Sequence, residues 1–413
     1  MREYRVCYCR KMLKSSWRLT DHLSPHYEYS YGLKDWSTTP IDIVDDDECV
    51  LNTQEGLYSL RSADSIASIT VDGEDYIITA NEGDDVDYGD FEERLKGKTI
   101  FVGTTLGFPG MTADTAIFSD SSITQGTSRF FNKQCDDTNA ETPFCSGSMR
   151  FTVGSAMIDY SDYETPNIYR LTAIGGRGVS IFHVTTTGLE LVWDSADDLE
   201  KEGCAAFPWA HNSIEDEEFA PVNGALYNSL AVDDSLRTTI EEVNDPTVDG
   251  CEDGGDGNPG ACPLGLLVDE RSLKDGPAAE AVVVGQACDA TFMVTASEKN
   301  SIGFLYDISV MTKPTLEKVF HLSPASETLN PGLAYESRTL GEIDSETIQF
   351  LSESDSPTGK AAVIFSGAWS GTVSLWEFDC GATAAPPTTS AASMYAIGGW
   401  MATMTGFLMS ILF

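Results

Sequence analysis

Residues 291–309 read TFMVTASEKNSIGFLYDIS. An apolar run of strand length gives way to a polar tip and then to a second apolar run that ends on an aspartate, with no 3.6-residue period in it. Two other stretches follow the same plan: AAVIFSGAWSGTVSLWEFD at 361–379 and RLTAIGGRGVSIFHVTTTGLELVWD at 170–194. Strand, short Gly or Ser turn, strand, and often a third strand is the meander of a β-propeller blade, whose turn tips and strand ends face the axial openings. A β-sandwich, the other all-β reading, would need no such repetition. Further short runs, SIASITV, DYIITA and EAVVVGQ among them, carry the same β-branched bias and are bounded by Gly, Asp, Asn and Ser. The expectation is an all-β chain: a β-propeller over residues 41–380, with a long polar insertion at 201–268. Trp193 and Trp376 fall at strand ends and are expected in the core between blades rather than on a sugar-binding face.

A second recurrence concerns charge. ADSIASI, AAEAVVV and SETIQFL each set an acid, Asp64, Glu280 or Glu346, two residues ahead of a β-branched residue that opens an inner strand. Inner strands line the channel of a propeller, so these carboxylates are expected to converge on one mouth of it. The stretch TANEGDDVDYGDFEERL at 79–95 adds Glu82 and Asp84 directly behind the strand DYIITA. Like charges brought together repel unless a cation or an arginine sits among them, so the pattern predicts a site for a hard divalent ion. The competing reading is that acids at strand ends cap their own turns.

The composition sets limits on partners. With 25 Lys and Arg against 65 Asp and Glu, the formal net charge is −40. Nucleic-acid binding needs cationic side chains to displace counterions, which excludes that partner class and favours cations or basic ligands. Ten cysteines and no CxxC pair, with histidines scattered at 22, 26, 183, 211 and 321, offer no compact zinc set. Cys135 and Cys145 bracket one polar loop, and Cys251 and Cys262 another. Both pairs are expected as disulfides, which implies an oxidising compartment.

The ends carry their own signals. Residues 1–40 lack the apolar core of a signal peptide and read as an atypical N-terminus, the product of a late start or a wrong first exon. Residues 394–413, MYAIGGWMATMTGFLMSILF, hold no charge and are long enough to cross a bilayer, behind the small and polar spacer 381–393. A GPI-attachment signal with its site near Gly381 is expected, with a retained transmembrane helix as the alternative. Both put the protein on the extracellular face of the membrane, held through the C-terminal tail alone.

Taken together, TANEGD at 79–84, GGRGVSIF at 175–182, DSADDLE at 194–200, RSLKDGPAAE at 271–280 and GEIDSETIQFLSESDSPTG at 341–359 resemble the choice-of-anchor I family. The resemblance implies a secreted or surface-attached β-propeller, WD40 or YVTN-like, of about seven blades. Its relatives include mesenchyme-specific cell-surface glycoproteins and atypical alkaline phosphatase or phytase-like esterases. Where relatives carry SNEVSG, this chain reads SGAWSG at 366–371, so an Asn-Glu pair is absent. Two functions are then expected in competition. One is a surface-anchored binding or adhesion module for a glycan, a protein or another extracellular ligand, with a divalent cation, Ca²⁺, held by Asp64, Glu82, Asp84, Glu280, Glu298 and Glu346. The other is a metal-dependent phosphoesterase in which the same acids hold the ion and Arg177 or Arg271 clamps the phosphate bidentately. No catalytic nucleophile is identified. The plainer expectation for Arg177 is an ion pair with a neighbouring carboxylate.

Overall fold

The computed structural model describes residues 32–44, 48–88, 91–102, 105–106, 111–113, 149–213, 263–329, 334–335 and 337–380. Strands dominate these residues. In chain order the main strands are β1 (Leu33–Asp35), β2 (Leu57–Leu60), β3 (Ala63–Val71), β4 (Glu74–Asn81), β5 (Arg94–Lys96), β6 (Arg150–Thr152), β7 (Leu171–Ala173), β8 (Gly178–Thr185), β9 (Gly188–Asp194), β10 (Ala279–Ala287), β11 (Ala290–Ser297), β12 (Ile302–Asp307), β13 (Thr315–His321), β14 (Thr347–Leu351), β15 (Ala362–Gly367) and β16 (Thr372–Glu377).

The first sheet has the order β1-β2-β7-β6-β5, the second β9-β8-β4-β3, the third β10-β11-β12-β13 and the fourth β14-β15-β16. The last three are antiparallel throughout. Local chemistry explains the hairpins. The β3–β4 turn is Asp72-Gly73, both with positive φ, as a two-residue turn matching the strand twist requires. Cys288-Asp289 joins β10 to β11 in the same conformation.

The third sheet is covered on both faces. Val282, Met293, Phe304 and Tyr306 pack with Ile78, Val179 and Ile181 of the second sheet, while Ala281, Val294 and Ala296 pack with Ile348, Val363 and Phe365 of the fourth. Alternate side chains go to opposite faces of a strand, and both faces here are dry, so the strands read as nearly unbroken apolar runs. Trp193 and Trp376 pack against these two inter-sheet cores, Trp193 edge-on to Tyr306 at 5.5 Å. Strand β10 lies beside β3 on one flank and β14 on the other. The chain is thus all-β and built of successive sheets; a closed ring of blades is not seen among the described residues.

The folded part begins ahead of residue 41: Leu33–Asp35 is a strand, Trp36 is fully buried, and Lys34 is buried against Asp194 at 3.3 Å. The stretch 201–268 begins and ends inside the fold, with the helix Asp198–Ala206 running into it and Leu264 and Leu267 buried at its far side. Two disulfides tie distant segments, Cys49–Cys204 and Cys288–Cys380. Both use cysteines that the sequence left unassigned. The pairs expected at 135–145 and 251–262, the attachment site at Gly381 and the tail at 394–413 lie outside the described residues. No helix among the described residues is long and apolar enough to cross a membrane.

Arg177 joins these parts. Its Nη1 donates to the Asp42 carbonyl at 2.6 Å and to Glu200 Oε1 at 2.7 Å, and its Nη2 to the carbonyls of Ser272 at 2.6 Å and Lys274 at 2.9 Å. The side chain is 2% exposed. A guanidinium so enclosed survives because its N–H groups are satisfied and its charge is matched by Glu200.

Two outcomes follow from this packing. A Cβ at Gly285 would stand 2.2 Å from the Phe350 ring of the neighbouring sheet. Gly285→Ala is therefore expected to cost about 1–3 kcal/mol in urea unfolding, and Phe350→Leu in the same chain to restore part of it. Arg177→Met leaves Glu200 buried and unpaired and is expected to cost about 3–5 kcal/mol, with Arg177→Met/Glu200→Met together costing less than Arg177→Met alone.

Candidate cation site

The three acids that recur at the starts of β3, β10 and β14 have a shared backbone origin. Ser62, Ala278 and Asp344 hold left-handed φ values of 41°, 48° and 60°, and each stands two residues before Asp64, Glu280 or Glu346. In the first two cases a β-bulge follows. Ala63 pairs with Asn81 and Ser65 with Ala80, leaving Asp64 as the extra residue; Ala279 pairs with Ser297 and Ala281 with Ala296, leaving Glu280 extra. A bulged residue escapes the strict alternation of the pleat, and its side chain is re-aimed toward the end of the sheet.

The facing strand of each hairpin delivers a second acid just past its end, Glu82 after β4 and Glu298 after β11. The fourth sheet shows what replaces it there. The backbone N–H of Ala368 donates to the Asp344 carbonyl at 2.8 Å, as that of Glu298 does to the Ala278 carbonyl at 2.8 Å. Ala368 in SGAWSG thus holds the place that Glu298 holds in the third sheet. Asp344 itself supplies a carboxylate at this end.

Asp64, Glu82 and Glu280 offer oxygens that all lie within 4.8 Å of one another. Glu298 is within hydrogen-bonding reach of both Glu82 and Asp344. Glu280 and Glu298 are each 7% exposed and Asp344 2%, whereas Asp64, Asp84 and Glu346 are exposed. The consequence is electrostatic. Burial first, then the charges of Glu298, Asp84 and Asp275, push the Glu82 carboxyl up to about 9. Burial, Glu82, Asp64 and Glu298 push Glu280 up to about 10. Asp344 rises to about 7 through burial and the neighbouring Glu298 and Glu346, and Glu298 is raised by burial against the pull of Lys299. Glu298 Oε2 and Asp344 Oδ1 are buried and accept no hydrogen bond. Lys299 pairs with Glu298 and lies 5.3 Å from the centre of the Trp369 ring.

The acid-rich stretch 79–95 therefore divides by position. Glu82 and Asp84 belong to this cluster, while Asp85 and Glu92 pair with Arg94 at 3.1 and 2.6 Å and Glu93 accepts the Thr152 hydroxyl at 2.8 Å. Gly83 makes the turn between them. At φ 118° it crosses Gly175 so closely that a Cβ would stand 2.4 Å from the Gly175 Cα, which accounts for the glycines in both TANEGD and GGRG.

The arginines assigned to a phosphate clamp are engaged elsewhere. Arg177 is spent on the four acceptors described above, the ion-pair reading of that residue. Arg271 forms a bidentate pair with Asp275, through Nε to Oδ1 at 2.9 Å and Nη2 to Oδ2, and is 4% exposed. Burial opposes the Asp275 charge, but Arg271, with Arg150 and Lys299, keeps its carboxyl below the usual range. Sequence reasoning missed Asp344, Asp275 and Lys299. Asp344 alone left a trace, as an aspartate where the left-handed backbone favours Asp or Asn. Chemically the cluster is an all-oxygen, anionic donor set of the kind that suits a hard divalent cation.

Comparison with known proteins finds similarity over part of the chain. Gigasin-3a of Magallana gigas is 25% identical over 210 residues, a match that covers 50% of this chain and 57% of that protein. The chain thus spans a little over half the length of the curated relative it matches. No solved structure matches the chain. The family profile described as the choice-of-anchor I domain matches residues 27–223, a span that holds the first two sheets, Asp64, the TANEGD turn and Arg177. Over residues 27–223 the chain is thus similar to the choice-of-anchor I domain.

Proposed function

We propose that the chain is a surface-associated binding module, a β-propeller whose carboxylate-lined mouth holds Ca²⁺ and through it engages an extracellular ligand, a glycan or a protein. The observation that carries the cation is the meeting of Asp64, Glu82 and Glu280 within 4.8 Å. Three carboxylates at that spacing are held together by shared protons or by a positive ion, and calcium takes oxygen ligands of this type. Glu298 supports the ion from the interior, and Asp84 and Glu346 lie at the exposed rim. The propeller reading is supported by β10 lying between β3 and β14, which is how inner strands of consecutive blades line an axis. The two disulfides fit an extracellular setting, and the hydrophobic tail with Gly381 supplies the anchor in this reading. The phosphoesterase alternative gains no support from Arg177 and Arg271, whose guanidinium groups turn inward to protein acceptors.

Thermal unfolding of the purified chain tests the ion. Added Ca²⁺ is expected to raise Tm and EDTA to lower it, and Glu280→Gln to remove most of the response without lowering the metal-free Tm, since a neutral amide replaces a carboxyl whose charged form burial and its neighbours disfavour. A wild-type Tm indifferent to both additions at pH 8 would contradict the site.

The pH dependence has a definite sign. Glu82 and Glu280 hold their protons more tightly folded than unfolded, so their contribution to stability is complete below about 4.5 and is lost as pH rises toward 9 and 10. Chemical unfolding without metal is expected to show this decline, and saturating Ca²⁺ to flatten it.

A further inference from the structure

A second group of ligating side chains lies apart from the carboxylate mouth. Asp42, His211 and Asp269 offer atoms that all lie within 4.8 Å of one another, and the residues are 0%, 1% and 0% exposed. They come from the N-terminal segment and from the residues flanking 214–262 on both sides. His211 Nε2 stands 3.0 Å from Asp42 Oδ2. The Asp42 carboxylate also accepts the backbone N–H groups of Val44 at 3.2 Å and Val50 at 2.9 Å. Asp269 accepts the Ser272 hydroxyl, and its own N–H donates to the His211 carbonyl at 2.8 Å, which fixes the two residues side by side.

A histidine–aspartate pair alone explains two of the three. It does not include the second carboxylate, Asp269, which is brought out of water beside the first. It also leaves two orphaned polar atoms next to the group. Asn212 Nδ2 lies 3.3 Å from His211 Nε2 and donates to Glu200 Oε1 at 3.1 Å and Ser272 Oγ at 2.7 Å, yet Asn212 Oδ1 and Glu200 Oε2 have no partner. Both residues are at most 1% exposed. Buried polar atoms left without a protein partner call for a bound water or ion.

We propose that Asp42, His211 and Asp269 form a buried site for a first-row divalent metal ion, Zn²⁺ or Mn²⁺, that fastens the N-terminal segment to the residues flanking 214–262 on both sides. The imidazole is what separates this set from the all-oxygen mouth. Nitrogen with two carboxylates suits zinc-class ions and not calcium. Ser272 orients the Asp269 carboxylate, and the backbone N–H groups orient that of Asp42. The Cys49–Cys204 sulfurs lie within 4.8 Å of a ring nitrogen of the same histidine, but as a disulfide they are not thiolate ligands. The donor set is therefore nitrogen and oxygen only.

The test uses the full chain, stripped with EDTA and reloaded with Zn²⁺, Mn²⁺ or Co²⁺. One equivalent of Zn²⁺ or Mn²⁺ retained per chain, a raised Tm, and visible d–d absorption of bound Co²⁺ with a nitrogen ligand are expected. His211→Gln is expected to abolish the absorption. Should that variant fail to fold, Ser272→Ala, which keeps all three ligands, is expected to weaken Zn²⁺ binding by roughly 10–100-fold. Glu280→Gln should retain the Zn²⁺ equivalent while losing the Ca²⁺ response, which separates this site from the mouth. A wild-type chain that retains no Zn²⁺, Mn²⁺ or Co²⁺, or a folded His211→Gln chain that retains its full equivalent, would overturn the assignment.

Discussion

A guanidinium removed from water must be given acceptors for its N–H groups, and the placement of the surrounding loops follows from how Arg177 finds them. Its four partners come from the N-terminal segment, the helix that leads into the long polar stretch, and the RSLKDGP loop. Gly276 in that loop lies so near that a Cβ would stand 2.9 Å from Arg177 Nη1. Gly83 and Gly175 cross on the adjoining turn. The consequence is that Glu82, Asp275 and the start of β10, which arrive from separate parts of the chain, are held at one end of neighbouring sheets. Four donated hydrogen bonds and one buried carboxylate thus position a cluster to which Arg177 contributes no ligand.

The cluster itself works against folding. Glu82, Glu280, Glu298 and Asp344 all have their carboxyls raised, by burial first and then by neighbouring acids, Asp275 in the case of Glu298. A chain optimised for stability alone would place apolar or paired groups there, since an unpaired buried charge is among the most destabilising features a fold can carry. The same arrangement pre-positions oxygen ligands for a cation, whose binding displaces the protons that the raised carboxyls hold. That is the physical link between the recurrence of acids along the sequence and the cation site proposed here.

How much of this was legible in the sequence depended on distance along the chain. The strands were, because TFMVTA and AVVVGQ carry the unbroken apolar character of strands buried on both faces. The acids Asp64, Glu280 and Glu346 were legible as a recurrence, because each sits at the same step of a repeated hairpin; the left-handed residue and bulge that aim two of them were not, since Ser62 and Ala278 carry no turn signature. The partners of Arg177 and Arg271 were not legible, because an arginine near acids looks alike in sequence whether it faces solvent or the interior. The disulfides Cys49–Cys204 and Cys288–Cys380 close separations of 155 and 92 residues, and local spacing favours shorter loops. His211 meets Asp42 across 169 residues, a proximity that only the fold creates.

The most direct test of the central claim is calorimetric titration of the chain with Ca²⁺ at pH 7 in buffers of different ionisation enthalpy, which counts the protons displaced as the ion binds. Glu82 and Glu280 are protonated at that pH, so binding is expected to release protons, and the release to diminish in Glu280→Gln. Binding without proton release, or no binding heat in any buffer, would contradict a calcium site built from these carboxylates.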